Sequence, residues 1–127
     1  MTRHYLDHAS TSPLRPEAAT AMAAMLTVEG IQTYGHPVHR LPHLVCVGIA
    51  DVEPQAVLLG LDSVGVAAHS GSACASEVLE PSPVLVAMGV DAQRSLRLSV
   101  GWNTTDTDLD AALDALPGIL GDLRALR

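Results

Sequence analysis

The spacing of apolar positions predicts three β-strands in the middle and late parts of the chain. Residues 44–50, LVCVGIA, form a continuous apolar run rich in β-branched side chains, which is typical of a buried strand. Residues 64–70, VGVAAHS, predict a second strand. Residues 94–100, RSLRLSV, alternate strictly and predict a third. One face of this last strand carries Leu96, Leu98 and Val100, and the other carries Ser95, Arg97 and Ser99.

Two helices are predicted in the first half of the chain. Residues 15–27 place Pro16 at a helix-opening position and repeat apolar residues at helical spacing, and Gly30 follows as a stop. Residues 53–61 also open with a proline and predict a short helix. Residues 31–43 contain two prolines and three histidines without any period, so they predict a connection rather than an element.

Two further helices are predicted in the second half. Residues 82–89 offer a serine N-cap, a proline at the first position and a terminal glycine. The last helix opens at Thr105, with Asp108 as an acidic partner for its first turn. Pro117 predicts that this helix is kinked or split in two. Its apolar stripe consists of Leu109, Leu113, Leu116, Leu120 and Leu123.

These elements predict an α+β fold, in which helices cover a small sheet of about three strands. The chain has 127 residues and 48% hydrophobic residues, which suits one domain with one modest core. The aromatic fraction is only 2%, so aliphatic side chains must build that core. The order after the first helix and its connection is strand, helix, strand, loop, helix, strand, helix.

Charge and composition exclude several classes of function. The net charge is −7, which argues against nucleic acid or an anionic membrane surface as a partner. No stretch resembles a signal peptide or is long enough to span a membrane, and two cysteines do not make a disulfide framework. We therefore expect a cytoplasmic protein with reduced thiols. All seven basic residues are arginines, so chemistry that needs a lysine amine is impossible in this chain alone.

The two cysteines have different surroundings in the sequence. Cys74 lies among serine, glycine and alanine residues, just before a predicted helix whose dipole favours a thiolate. Free cysteines are usually buried, so this position favours a reactive role, and the alternative is a small residue without a role. Cys46 lies inside the apolar run 44–50 and is predicted to be a core hydrophobe.

Arginine and histidine side chains supply the other candidates. Arg97 on the polar face of a rigid strand suits a carboxylate or phosphate, and the alternative is a solvated edge residue. His36, His39 and His43 lie close together, but their spacing is not a recognised zinc signature, so no metal site is predicted. A cysteine nucleophile with His69 or His36 as its base stays open, because sequence alone cannot bring them together.

Two separated parts of the chain resemble the pyridoxal-phosphate-dependent cysteine desulfurases of the class V aminotransferase group. Residues 5–22, YLDHASTSPLRPEAATAM, and residues 34–40, YGHPVHR, resemble the opening of that family. Residues 40–90 and 95–116 resemble its C-terminal small domain. The most specific block, SGSACAS followed by LEPSPVL within residues 70–85, resembles the subgroup with a longer, mobile cysteine loop.

This resemblance assigns roles to two residues. Cys74 matches the cysteine that takes sulfur from the substrate and carries it as a persulfide. Arg97 matches the arginine that holds the carboxylate of the substrate cysteine. The resemblance also divides the predicted single domain, residues 1–127, into an N-terminal arm, helix and connection over residues 1–39 and a small domain of the fold-type-I aminotransferase kind over residues 40–127.

The departures from the family are large. The family's central domain holds the cofactor lysine, the acidic partner of the pyridine nitrogen, the stacking histidine and the phosphate-binding loop. Here the two matching parts meet near His39 and Arg40, with nothing between them. His8 also stands where the family usually has a different polar residue. The resemblance therefore implies no cofactor in this chain, and pyridoxal phosphate only where a partner chain supplies it.

The leading expectation is a sulfur-handling protein that carries a persulfide on Cys74. The chain is not a self-sufficient pyridoxal-phosphate enzyme, so it is either a sulfurtransferase or one subunit of a split desulfurase. Its expected partners are a sulfur acceptor protein or a cofactor-bearing chain, and we expect a homodimer or a hetero-complex. The alternatives are a non-catalytic interaction or regulatory module, and an engineered or decayed remnant of a desulfurase.

Overall fold

The computed structural model describes Pro16, residues 27–70 and residues 81–127. In this part of the chain, four antiparallel strands form one sheet in the order β1-β2-β4-β3. The strands are β1 (Ile31–Tyr34), β2 (Leu44–Ile49), β3 (His69–Ser70) and β4 (Ser95–Ser99). The helices are α1 (Pro54–Ser63), α2 (Pro83–Ala87) and α3 (Asp106–Ala125), and a 3₁₀ turn, Ala92–Arg94, precedes β4. The predicted α+β class is confirmed.

Helices α1 and α3 cover one face of the sheet and form the main core with it. On β2 and β4, Val45 lies opposite Leu98 and Val47 lies opposite Leu96, and all four side chains are buried. Each fully buried aliphatic side chain of this size contributes about 1.5–3 kcal/mol. The predicted stripe of α3 faces this core, with Leu109, Leu116 and Leu120 buried and Leu113 and Leu123 partly buried.

Helix α3 begins at the predicted N-cap and is continuous at Pro117, where a kink or a split was predicted. The Thr105 hydroxyl accepts a hydrogen bond from the Asp108 backbone N–H, and the Asp108 carboxylate accepts one from the Thr105 N–H at 2.8 Å. This capping box satisfies two donors that the first turn would otherwise leave unpaired. The helix does not split at Pro117: its 20 residues run to Ala125, and the proline lies on an exposed part of it.

Two expectations about strands are wrong. Residues 31–43 are not only a connection, since Ile31–Tyr34 form the edge strand β1 and pair with β2. The strand expected over residues 64–70 is reduced to His69–Ser70. The reason is that Gly65, at φ +82°, ends helix α1: its N–H bonds to the Asp62 carbonyl, and the next N–H bonds to the Leu61 carbonyl. This Schellman arrangement uses the first residues of the expected strand to end the helix.

The second face of the sheet carries a smaller apolar cluster. Tyr34, Leu85 and Ala92 are buried there, and Cys46 and Val90 pack against them. Helix α2 contributes Leu85 and ends at Gly89, as predicted, where Gly89 has φ +71° and its N–H bonds to the Val86 carbonyl. The predicted N-cap Ser82 precedes this helix, without a side-chain cap hydrogen bond. The predicted N-terminal helix falls outside the described residues except for Pro16 and Thr27.

Candidate functional site

One transverse row of four side chains crosses the whole sheet on its second face. Tyr34 of β1 lies opposite Cys46 of β2, Cys46 lies opposite Arg97 of β4, and Arg97 lies opposite His69 of β3. Side chains that face each other across an antiparallel pair lie on the same side of the sheet, with Cβ atoms about 4.5–5.5 Å apart. We call these four residues the cross-sheet row. It brings a phenol, a thiol, a guanidinium and an imidazole into one line.

A groove of about 350 Å³ lies over part of this row. The row contributes Tyr34, Cys46 and Arg97, and helix α2 lies along the other side. A volume of this size is at the small end of the range for small-molecule sites. The remaining lining residues are mainly apolar, with one further arginine and one serine: Gly35, Arg40, Leu41, Leu44, Ser82, Val84, Leu85 and Met88. The groove therefore combines a mostly apolar wall with two cationic side chains.

Arg97 is the charged member of the row that the sequence singled out. Its side chain is partly buried at the centre of the sheet rather than on an edge, since β4 has β2 on one side and β3 on the other. Within residues 27–70 and 81–127, no aspartate or glutamate forms an ion pair with it. A guanidinium in a partly desolvated groove is well suited to a carboxylate, which it can bind through two parallel hydrogen bonds.

Cys46 was expected to be a core hydrophobe, and it packs against the smaller apolar cluster on the second face rather than in the main core. Strand β2 alternates, so Val45, Val47 and Ile49 face helices α1 and α3 while Cys46 faces the groove, where it is partly buried. Burial raises the pKa of the Cys46 thiol above its ordinary value of 9.0, and the nearby Arg97 guanidinium acts in the opposite direction. The thiol is therefore mostly protonated at neutral pH but lies beside a cation.

Tyr34 closes one end of the row. Its hydroxyl donates a hydrogen bond to the Asp91 carbonyl oxygen at 3.1 Å. To reach it, the ring passes over Gly48, where any Cβ atom would clash with the phenol. Burial raises the pKa of Tyr34, and the Asp91 carboxylate adds to that rise. Tyr34 therefore stays neutral and fixed, and it shapes the groove wall.

The candidate base His69 lies next to Arg97, whereas His36 does not lie in the row. The His69 side chain is exposed, and its Nδ1 contacts the carbonyl oxygen of Ser70. His36 Nδ1 instead accepts hydrogen bonds from the backbone N–H groups of Val38 and His39, at 3.1 and 2.9 Å. In the part of the chain that the structure describes, no group of three or more His, Cys, Asp or Glu could hold a metal ion.

Cys74 itself lies in the segment 71–80, outside the described residues. The residues that flank this segment lie near the row. Ser70 pairs with Leu96 on β4, one position from Arg97, and Ser82 lines the groove. Cys74 is the fourth residue after Ser70, and four residues of chain reach at most about 14 Å. Ser70 lies on the strand next to that of Arg97, and neighbouring strands are about 5 Å apart, so this length of chain is enough to bridge them.

The comparisons with known proteins agree with the resemblance seen in the sequence. The family described as aminotransferase class-V matches residues 8–112. This chain belongs to the class-V aminotransferase family. The curated relatives of this family member include the cysteine desulfurase IscS 1 of Archaeoglobus fulgidus, which is 40% identical over 80% of this chain and 28% of its own length. A cysteine desulfurase of Gluconacetobacter diazotrophicus is 35% identical over 99% of this chain and 32% of its own.

Solved structures agree with the fold of this class-V family member. A NifS-like protein from Rickettsia africae superposes with a TM-score of 0.66 at 26% identity, over 80% of this chain and 26% of that one. The Escherichia coli cysteine desulfurase CsdA, in an S-sulfonic acid form, gives 0.65 at 25% identity, over 84% and 24%. The chain is thus related to cysteine desulfurases and spans less than a third of the curated relatives named above. Among the described residues, no helix is long and apolar enough to cross a membrane.

The sequence singled out Arg97 as a candidate, but it did not indicate that Tyr34 and Cys46 lie beside it in the groove. A signal for Cys46 was present. If Val45 and Val47 face the core, strand alternation places Cys46 on the opposite face. The uniformly apolar run concealed that alternation. No signal in the sequence gave the register that sets Cys46 opposite Arg97, because register depends on how distant strands pair.

Proposed function

We propose that this chain accepts sulfur from a cysteine-derived donor in the cytoplasm and carries it as a persulfide on Cys74. Arg97 holds the carboxylate of the donor during the transfer. The observation that carries the proposal is the position of Arg97, central in the sheet, open to an apolar groove, and without an acidic partner among the described residues. The relationship to cysteine desulfurases supports the same role.

The transfer step balances without an external oxidant. The Cys74 thiolate attacks the outer sulfur of a donor R–S–SH, the S–S bond of the donor breaks, and R–S⁻ leaves. The products are Cys74–S–SH and a donor thiol that takes up a proton. An acceptor thiolate then attacks the outer sulfur of Cys74–S–SH in the same way and regenerates the Cys74 thiolate. Arg97 contributes by fixing the donor through its carboxylate, which removes orientational freedom before the reaction.

Pyridoxal phosphate does not fit the residues of this chain. A covalently held cofactor requires a lysine amine, and all seven basic residues here are arginines. When bound in another chain, the cofactor supplies the cleavage of the carbon–sulfur bond of cysteine. We therefore propose that this chain works with a separate cofactor-bearing chain, which generates the sulfur, and with an acceptor protein, which removes it.

The exposed rim of the groove is evidence that a partner protein binds there. It is equally consistent with the second candidate function, an interaction module. Leu41, Val84 and Met88 line the groove and are 60%, 66% and 45% exposed. Large apolar side chains exposed together are typical of surfaces that bind other proteins. An interaction module without sulfur chemistry would use the same surface and would not need Cys74 or Arg97.

A persulfide assay separates these two functions. The purified chain is incubated with cysteine hydropersulfide, excess donor is removed, and peptide mapping by mass spectrometry locates any added sulfur atom. The expected result is one added sulfur on Cys74, which is released as sulfide by a thiol acceptor. The matched variants are Cys74→Ala, which should lose this labile sulfur, and Cys46→Ala, which should keep it on Cys74. A wild-type chain that carries no sulfur on Cys74 would favour the interaction module.

A further inference from the structure

The pairing of Cys46 with Arg97 has no part in the sulfur transfer proposed for Cys74. The two residues lie opposite each other on β2 and β4, and both line the same groove. Their side chains also interact electrostatically, since the guanidinium favours the thiolate form of Cys46. A thiol at this position is therefore one cross-strand spacing, about 5 Å between Cβ atoms, from the residue that would hold a carboxylate.

We propose that Cys46 and Arg97 form a second thiol site, which takes up small disulfides that carry a carboxylate near their sulfur atoms. The proposal rests on the proposed role of Arg97 as a carboxylate anchor. Its ligand class is the symmetric disulfide of a short carboxylate-bearing thiol, of which cystine is the simplest amino-acid example. The product is a mixed disulfide on Cys46.

The apolar wall of the groove suits the rest of such a ligand. Leu44, Leu85 and Met88 lie around Cys46 and offer contacts to the short methylene arm and to the two sulfur atoms. Sulfur is soft and polarisable, and it packs well against aliphatic and thioether groups. A volume of about 350 Å³ is large enough to hold one such ligand.

The reaction is a thiol–disulfide exchange that balances within its two reactants. Cys46 releases its proton to solvent, and the thiolate attacks one sulfur of R–S–S–R. The S–S bond of the ligand breaks, a new bond forms between Cys46 and the attacked sulfur, and R–S⁻ leaves and takes up a proton. Cys46 is oxidised and the leaving half of the ligand is reduced.

Selectivity comes from binding, because burial makes Cys46 a poor nucleophile on its own. The thiol should react slowly with any disulfide that meets it by chance, since little thiolate is present at neutral pH. A carboxylate held by Arg97 keeps the disulfide beside the thiol and raises its effective concentration. The mixed disulfide then occupies the groove and blocks Arg97, so oxidising conditions would stop the donor carboxylate from binding.

The test uses the full chain with Cys74→Ser, so that Cys46 is the only thiol. The probes are 3,3′-dithiodipropionate, which carries carboxylates, and bis(2-hydroxyethyl) disulfide, which does not. Mass spectrometry follows the rate of mixed-disulfide formation, and each rate is divided by the rate of the same probe with a small free thiol. We expect the normalised rate for the carboxylate probe to exceed that of the neutral probe by about tenfold or more, as charge-assisted hydrogen bonds of this kind imply.

Two arginine variants complete the test. Arg97→Gln should bring the ratio of normalised rates close to one, while Arg94→Gln, which removes the same charge outside the groove, should leave it unchanged. Each variant is its own folding control, because the neutral probe reports access to Cys46. A ratio near one in the Cys74→Ser chain overturns the proposal, and so does a high ratio that persists in Arg97→Gln. The ratio in the Cys74→Ser chain can be near one while Cys74 of the wild-type chain still prefers donors with a carboxylate. In that case only the proposal for Cys46 has failed, and the proposed function of Cys74 stands.

Discussion

The hydroxyl of Tyr34 donates a hydrogen bond to the carbonyl oxygen of Asp91, 57 residues later in the chain and 3.1 Å away. This bond ties the edge strand β1 to the turn that leads into β4. It fixes the end of the cross-sheet row, because the same ring lies over Gly48 and lines the groove. The wall of the groove beside Cys46 therefore depends on a tyrosine that has no role in the proposed reactions.

Tyr34→Phe should destabilise the chain by about 0.5–1.5 kcal/mol, the usual net value of one such hydrogen bond. Chemical denaturation at neutral pH measures this loss. The wild type should also lose stability at alkaline pH. The folded-state pKa of Tyr34 is raised above 10.0, so this contribution is present below pH 10.0 and is lost as the pH rises through the folded-state value. If Tyr34→Phe shows the same alkaline loss as the wild type, this assignment is wrong.

The capping box of α3 predicts how the stability of the fold changes at acid pH. Thr105→Ala should cost about 1 kcal/mol, because it removes an N-cap acceptor. Hydrogen bonds from the backbone N–H and the hydroxyl of Thr105 lower the pKa of Asp108 below 3.8. The contribution of the carboxylate is therefore present above pH 3.8 and is lost as the pH falls through the folded-state value. Asp110→Asn, an exposed change two residues after Asp108, is the matched control, and an equal loss in both variants would argue against the cap.

How much of this arrangement could be predicted depends on the range of the interactions. The helix ends could be predicted from signals between near neighbours in the sequence. Thr105 and Asp108 mark the start of α3, and Gly89 marks the end of α2. Strand β1 was missed although Ile31, Thr33 and Tyr34 are good strand formers, because only four residues pair and prolines and histidines follow at once.

The site was harder to predict than the fold, for a physical reason. Arg97 could be singled out because it stands on the polar face of a strictly alternating strand, which is a local pattern, and the family resemblance gave it a role. The cross-sheet row joins residues from four strands, and its composition depends on the register of three strand pairs. A shift of one residue in any pair would replace Tyr34, Cys46 or His69 with a neighbour that faces the other way.

The two cysteines should differ in their reaction with a neutral alkylating reagent. Burial raises the pKa of Cys46, so iodoacetamide at neutral pH should modify Cys74 first and reach Cys46 slowly. The Cys46 rate should increase as the pH approaches and passes 9.0, since the thiolate is the reactive form. Peptide mapping over a pH series measures both rates. Equal labelling of the two thiols at neutral pH would contradict the placement of Cys46.

The exposed rim of the groove predicts association, either of two copies or with the cofactor-bearing chain. Val84→Gln should weaken a homodimer, because Val84 is 66% exposed beside the groove. Leu59→Gln is the matched control, since Leu59 is 64% exposed on α1, which packs on the opposite face of the sheet. Light scattering across a range of concentrations gives the oligomeric state. A chain that stays monomeric at high concentration and binds no cofactor-bearing desulfurase would contradict the prediction.

The most direct test of the central claim is the ratio of two rates at which Cys74 becomes persulfidated. Cysteine hydropersulfide offers a carboxylate and inorganic polysulfide does not, and both deliver sulfur to the same thiol. If Arg97 holds the donor, Arg97→Gln should lower the rate with cysteine hydropersulfide by about tenfold or more and leave the polysulfide rate unchanged. Arg94→Gln should change neither rate. Equal rates for wild type and Arg97→Gln with cysteine hydropersulfide would contradict the account.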